Sequence, residues 1–215
     1  MNTQRITVIC EGQSEVAYIT DLQKFIEQES NGWQFPLIFL PEFVGGGAFA
    51  KINKILNQER KNNPKTRCEV WADYDLYRRD YKQTKTQYLA HLQRMDSFPK
   101  FCFAFYNFED FYILHHPQNI IDQWKTIFSQ YSPQHPTHFQ TPLHGKDYLP
   151  RFQKLFPNYR KGMIPLDFIS WESLRRLKAN LINRAIPPPN DDDCRDFAAF
   201  LIGELENAYP ENFVS

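Results

Sequence analysis

The chain has 215 residues, with 25 Lys plus Arg against 25 Asp plus Glu and a formal net charge of zero. That balance excludes a protein that coats nucleic acid by overall charge, while leaving room for a local basic patch and a metal. With 19 Phe, 11 Tyr and 4 Trp, there is ample apolar surface for one domain, or one domain with a small appendage.

No run of about 18 apolar residues is present and no signal-peptide pattern opens the sequence. The four cysteines, Cys10, Cys68, Cys102 and Cys194, are far apart and form no Cys-x-x-Cys. The first three lie in apolar strand-like runs, which suits buried free thiols in a reducing compartment. The expectation is a cytoplasmic protein with no membrane partner.

In chain order, Arg5–Glu15 (RITVICEGQSE) predicts a buried strand ending at Glu11, a sharp turn at Gly12 and a helix capped by Ser14. Val16, Ile19, Leu22, Phe25 and Ile26 continue that helix to Glu29, where Asn31-Gly32 stops it. Phe35–Val44 predicts a second strand with ragged ends at Pro36 and Pro41. Gly45–Gly47 precede an amphipathic helix carrying Ile52, Ile55 and Leu56. No Walker lysine follows these glycines, so a tight turn is preferred to a phosphate loop.

Cys68–Asp75 predicts a third strand ending in Asp-x-Asp, Tyr81–Met95 a helix, and Lys100–Tyr106 a fourth strand. A helix at Phe108–His116 continues or repeats around Ile120–Phe128. Ser132–Pro150, rich in Pro, His and Gln, predicts a loop or lid. Two helices follow, Trp171–Ile186 and Asp193–Ala208, separated by Pro187–Pro189 as a stiff connector. The alternation of strand and helix predicts an α/β fold with a mostly parallel sheet.

Two predicted strands thus end in carboxylates. Asp73 and Asp75, two apart on a strand, share a face and with Glu11 offer hard oxygen ligands for Mg²⁺ or Mn²⁺. Such a site can steer a water or hydroxyl onto phosphorus and neutralise the developing charge. Aspartates that cap a turn are the competing explanation. His135, His138 and His144, with His115 and His116 upstream, match no zinc spacing and read as a polar loop. The basic-aromatic segment Tyr77–Lys85, with Arg78, Arg79 and Lys82, fits a nucleic-acid backbone contact or a solvated helix face.

A strand ending in Glu-Gly followed by one ending in Asp-x-Asp resembles the TOPRIM domain of topoisomerases, primases, recombination proteins and OLD-type nucleases. More narrowly, EGQSEVAYI resembles the opening motif of RloB-like proteins, Glu-Gly-x-Ser/Thr-Glu followed by an aromatic. FEDFYILHH (Phe108–His116) is similar to that family's Phe-Glu-x-Trp-Leu-Leu-Leu-His-Phe helix, with Phe111 in place of Trp and His116 in place of the last Phe. Tyr159-Arg160-Lys161-Gly162 resembles its Tyr-x-Lys-Gly, and the helices around Ser173–Leu181 and after Pro189 resemble its C-terminal pair. Tyr106-Asn107 stands where the family has Asn-Pro-Cys.

The resemblance implies a TOPRIM-like Rossmann-like domain over 1–130 and a loop or lid with a helical C-terminal extension over 131–215. It implies a metal site of Glu11, Asp73 and Asp75. Glu15 and Glu109 would add carboxylates; for Glu15, a helix-start Glu favoured by the dipole is the alternative. Lys161 would contact the scissile phosphate, and His115 would be structural.

The implied activity is Mg²⁺- or Mn²⁺-dependent phosphodiester cleavage of DNA or RNA by a phage-defence effector, with a possible ATPase partner or homo-oligomer. The alternative is a non-catalytic regulatory subunit of a defence ATPase complex. A haloacid-dehalogenase-like phosphatase is a third reading, but its aspartates sit on the first strand.

Overall fold

A computed structural model describes residues 3–30, 36–45, 49–62, 67–73, 100–104, 107–131, 145–183 and 195–214. The strands β1 (Gln4–Cys10), β2 (Leu37–Phe43), β3 (Arg67–Asp73), β4 (Lys100–Ala104) and β5 (Arg195–Asp196) form one sheet. Every neighbouring pair is parallel, in the order β2-β1-β3-β4-β5. The described helices are α1 (Gln13–Glu29), α2 (Phe49–Asn62), α3 (Phe108–Ile113), α4 (Gln118–Tyr131), α5 (Gly145–Leu155), α6 (Trp171–Asn180) and α7 (Phe197–Ala208). A 3-10 turn, Pro210–Phe213, follows them. This is the expected α/β, Rossmann-like architecture with a helical C-terminal part. No helix among the described residues is long and apolar enough to cross a membrane.

Side chains alternate across the sheet and divide the core in two. Ile6, Val8, Cys10, Trp71 and Cys102 belong to the larger cluster with α1 and α7, whereas Ile9, Val70 and Phe103 meet Ile52 and Leu56 of α2. On α1, Tyr18, Ile19, Leu22 and Ile26 recur at helical spacing and are fully buried. Each such aliphatic side chain contributes about 1.5–3 kcal/mol relative to exposure. Phe197, at the start of α7, stacks flat on Trp71 of β3 with ring centroids 3.7 Å apart. Residues from both halves of the chain therefore share one core.

The edge strand β2 is partly covered: the Phe39 N–H donates to the Gln23 side chain of α1 at 2.8 Å, and Pro41 has no N–H to offer a further strand. Because β2 and β3 flank β1 on opposite sides, the strand order reverses at β1. In open α/β sheets the crevice beyond the strand ends at such a reversal is where ligands bind.

The structure corrects several sequence expectations. Ser14 does not cap α1; Gly12 occupies that position without a side-chain cap, and the Ser14 hydroxyl is used elsewhere. The predicted loop Ser132–Pro150 ends in a helix, because α5 begins at Gly145 and runs through Pro150. Proline inside a helix costs about 3 kcal/mol, offset here by burial of Phe152 among Trp124, Tyr112 and Tyr159. The helix predicted for Trp171–Ile186 ends at Asn180, whose side-chain amide donates to Leu114 O and His116 O. Arg195 and Asp196, predicted as helix, form a strand that pairs with Cys102 and Phe103. The predicted helix Tyr81–Met95, the connector Pro187–Pro189, and His135, His138 and His144 lie outside the described residues.

Candidate functional site

The last rung between β1 and β3 is the Glu11 N–H donating to Trp71 O at 3.0 Å. The Glu11 carboxylate then reaches across the same gap and accepts the Asp73 N–H at 3.1 Å. Two of the predicted carboxylate residues thus meet where the strand order reverses, as the strand-end reading of Glu11 and Asp73 requires.

Gly12 turns the chain from β1 into α1. A Cβ built on it would collide with Glu15 Oε2, so the Glu15 carboxylate is folded back over the helix start. Glu15 is only 3% exposed. Burial raises its carboxyl to about 7; its own backbone N–H opposes this, Glu11 and Glu109 add to it, and Lys161 opposes it.

Glu109 comes from α3. Asn107 caps that helix by accepting the Asp110 N–H at 3.1 Å, which sets Glu109 in the first turn with 1% exposure. The neighbouring Asp110 is tied away into the core, accepting from Trp124 Nε1 at 2.7 Å. Glu109 Oε1 accepts the Tyr159 hydroxyl at 3.0 Å, and Lys161 Nζ stands 4.0 Å from the same oxygen.

The segment 159–162 fastens α3 to α1. Its Gly162 N–H donates to Ser14 Oγ at 3.0 Å. Gly162 has φ +76°, and a Cβ there would come within 3.3 Å of the Gln13 side chain. Only glycine fits that close, left-handed turn without strain.

No family model, curated protein or solved structure matches the chain.

The structure therefore gathers Glu11, Glu15, Asp73, Glu109 and Lys161 about the ends of β1 and β3. Asp75, Arg78, Arg79 and Lys82 lie outside the described residues. Among the described residues no three His, Cys, Asp or Glu form a ready-made cation cage. The donor set is nonetheless entirely carboxylate oxygen, the chemistry a hard divalent cation takes. The Glu15 carboxyl is held near 7 first by burial, with the charges of Glu11 and Glu109 adding to it, and a proton or a cation relieves both.

His115 is placed in the core, 1% exposed, sharing a hydrogen bond with the Tyr18 hydroxyl at 3.1 Å. Burial, with His116 adding, lowers its ring to about 3, so it is neutral. The turn at Gly45 has φ +69°, as a tight turn there requires; Gly46 and Gly47 lie outside the described residues.

Sequence reading named Tyr159 only within a motif and gave it no role, and it took Ser14 for the cap of α1, whereas its hydroxyl accepts the Gly162 N–H. The signal for both was the Tyr-x-Lys-Gly run, since Tyr159 and Gly162 bracket Lys161 and are the two residues that dock.

Proposed function

We propose that the chain is a TOPRIM-type, RloB-like phosphodiesterase that cleaves DNA or RNA with Mg²⁺ or Mn²⁺. The observation that carries this reading is the hydrogen bond between Asp73 and Glu11 at the strand-order reversal, with Glu15, Glu109 and Lys161 alongside. A phosphatase with its aspartates on the first strand fits less well, because Asp73 ends β3.

Glu11 and Asp73, with Asp75, would hold the cation, and Glu15 or Glu109 would complete its surroundings. Bound there, the cation supplies charge neutralisation and lowers the pKa of a water. The chain's own residues do the rest. Lys161, 59% exposed at its side chain, offers an ammonium to a non-bridging phosphate oxygen and to the charge that grows on it. Glu15, with a carboxyl near 7, can hold or release a proton at neutral pH. Tyr159 fixes the Glu109 carboxylate by its 3.0 Å hydrogen bond. Arg78, Arg79 and Lys82 are assigned to the nucleic-acid backbone; the RloB-like resemblance implies a phage-defence setting, and the scattered free cysteines suit the cytoplasm.

A second reading, a regulatory subunit of a defence ATPase complex, is favoured by one observation. Phe43 and Met163 are 51% and 65% exposed and line a shallow groove with Val16, Ala17 and Ile164. Exposed apolar side chains of this kind suit a protein partner.

The test is a cleavage assay on mixed DNA and total RNA with Mg²⁺, Mn²⁺ or chelator, for wild type beside Asp73→Ala. Metal-dependent cutting that disappears in a folded Asp73→Ala protein supports the nuclease. Retained metal-dependent cutting in that variant rejects the site, and no cutting with an ATPase partner present favours the regulatory reading.

A further inference from the structure

Phe43 closes β2 with its ring half out of the fold. It pairs in register with Cys10, the residue before Glu11, so it stands beside the strand tips that carry the candidate site. The side chain is exposed and yet seated. A Cβ on Gly45 would come within 3.2 Å of the Phe43 Cε1 and Cζ, so the glycine turn leaves room for the ring to rest against it.

The ring also lines a groove of about 590 Å³, within the range of small-ligand sites, about 300–1,000 Å³. The groove runs along one face of α1 over Gln13, Val16 and Ala17, with Met163 and Ile164 in its wall. Its inner end is the candidate site: Gln13 follows Gly12, and Gly162, also in the lining, follows Lys161. A phosphate at the Lys161 ammonium therefore has its neighbouring nucleosides at the groove. The lining suits a base. Phe43 and Met163 offer an aromatic face and a polarizable thioether to a π-system. The exposed Gln13 amide both donates and accepts, as the edge of a base does. The lining carboxylate, Asp21, is paired with Lys24 at 2.8 Å, which lessens its repulsion of a phosphate.

We propose that this groove takes a nucleobase of the strand being cut, stacked on Phe43 beside the phosphate that Lys161 contacts. Resting on the nuclease reading, this placement narrows the substrate. A base inside a duplex has both faces stacked and must first be pulled out at a cost, so a single strand or an unpaired loop is cut in preference. An apolar segment of a protein partner is the competing occupant. It would use the same side chains, but it has no need of a groove that starts at the lysine assigned to phosphate.

Binding is measured by fluorescence anisotropy with Ca²⁺ in place of Mg²⁺, a hard cation that takes the same oxygen ligands. The probe is a labelled single strand of about ten nucleotides, in DNA and RNA form, beside its abasic-backbone counterpart and its duplex. The proteins are wild type, Phe43→Ala, Phe43→Leu and Phe43→Trp, each checked by thermal unfolding. Phe43→Ala is expected to weaken single-strand binding about tenfold and Phe43→Leu nearly as much. Phe43→Trp binds within about twofold of wild type, because a ring is what stacks. Wild-type binding by Phe43→Ala overturns the inference, and so does Phe43→Leu matching wild type, since an apolar contact would then suffice. Wild type that binds the abasic strand as tightly as the intact one overturns it without any variant. A groove made for a protein segment gives that same equality.

Cleavage with Mg²⁺ separates the base site from the nuclease reading. Cutting by wild type, with binding untouched in Phe43→Ala, rejects the base site and keeps the nuclease. No cutting, with binding that still follows the ring, rejects the nuclease and keeps the base site. When both hold, Phe43→Ala lowers kcat/KM on the single strand about tenfold, and wild type cuts the single strand faster than its duplex. Equal wild-type rates on the two overturn the inference.

Discussion

The Asp73 backbone N–H and the Glu11 carboxylate are joined by a 3.1 Å hydrogen bond that ties the end of β3 to the end of β1. Glu11 is therefore an anchor for the strand ends as well as a candidate ligand. The two roles separate by substitution.

Glu11→Gln keeps a side-chain oxygen for the Asp73 N–H but removes the charge. Glu11→Ala removes both, and a hydrogen bond to a charged group is worth about 1.5–3 kcal/mol. Both variants are expected to lose cleavage, while Glu11→Ala alone loses about 1–2 kcal/mol of stability, toward the lower end because the bond is only part-buried. Urea unfolding with an unchanged m-value measures this. Equal midpoints for the two variants would remove Glu11 from its anchoring role.

Gly12 and Gly162 should respond to alanine in different ways. Gly12 has φ −119° and ψ 169°, which any residue adopts, and a Cβ there meets the flexible end of Glu15. Gly12→Ala is expected to fold with little change in Tm but to push the Glu15 carboxylate away and impair the site. Gly162→Ala meets a φ of +76° and the Gln13 Cβ at 3.3 Å, and is expected to cost about 1–2 kcal/mol. Thermal unfolding of the pair, with activity assayed on each, checks the contrast.

Cation binding can be read without any substrate. A ligand that binds only the folded state raises stability in proportion to the logarithm of its concentration over Kd. Millimolar Mg²⁺ or Mn²⁺ is expected to raise the Tm of wild type, with the rise reversed by chelator and absent in Asp73→Asn. A rise of equal size in Asp73→Asn would place the cation elsewhere.

The pH dependence of stability carries two opposed contributions. Glu15 titrates near 7 in the fold against an ordinary value of 4.5, so between these values the folded state binds a proton that the unfolded chain has released. Its contribution is full below about 4.5 and is lost as pH rises through about 7. His115, lowered to about 3 from 6.5, acts in the other sense: its contribution is present above about 6.5 and is lost as pH falls toward 3. Glu15→Gln isolates the first. Relative to wild type it should gain stability as pH rises from 4.5 to 7, and a flat difference over that range would remove the Glu15 carboxyl from the buried cluster.

The elements legible in the sequence were those whose burial repeats. Ile6, Val8 and Ile9 announce β1, and Val16, Ile19, Leu22, Phe25 and Ile26 announce α1, because each periodicity is the imprint of a face that packs; Tyr18, fully buried on the same helix, was not among them. β5 is only two residues long, and its strand character comes from pairing with Cys102 and Phe103, which no local pattern encodes. α5 was hidden by Pro150, although Leu149, Phe152 and Phe156 already had helical spacing. At the site, the carboxylate residues were legible as strand ends and from the motif resemblance. The docking of Tyr159 on Glu109 and of Gly162 on Ser14 was not, since it joins residues brought together only by the finished fold.

The flat stack of Phe197 on Trp71 also bears on the order in which the molecule forms. β3 presents Asp73 at its tip, yet the ring that packs on β3 belongs to a helix made near the far end of the described chain. Contacts so distant in sequence come late, because the intervening loop must close before they return any energy. During synthesis the strand tips stay loosely supported until Phe197 has left the ribosome. A nascent chain lacking that residue carries the acidic side chains but not the packing that holds them in register.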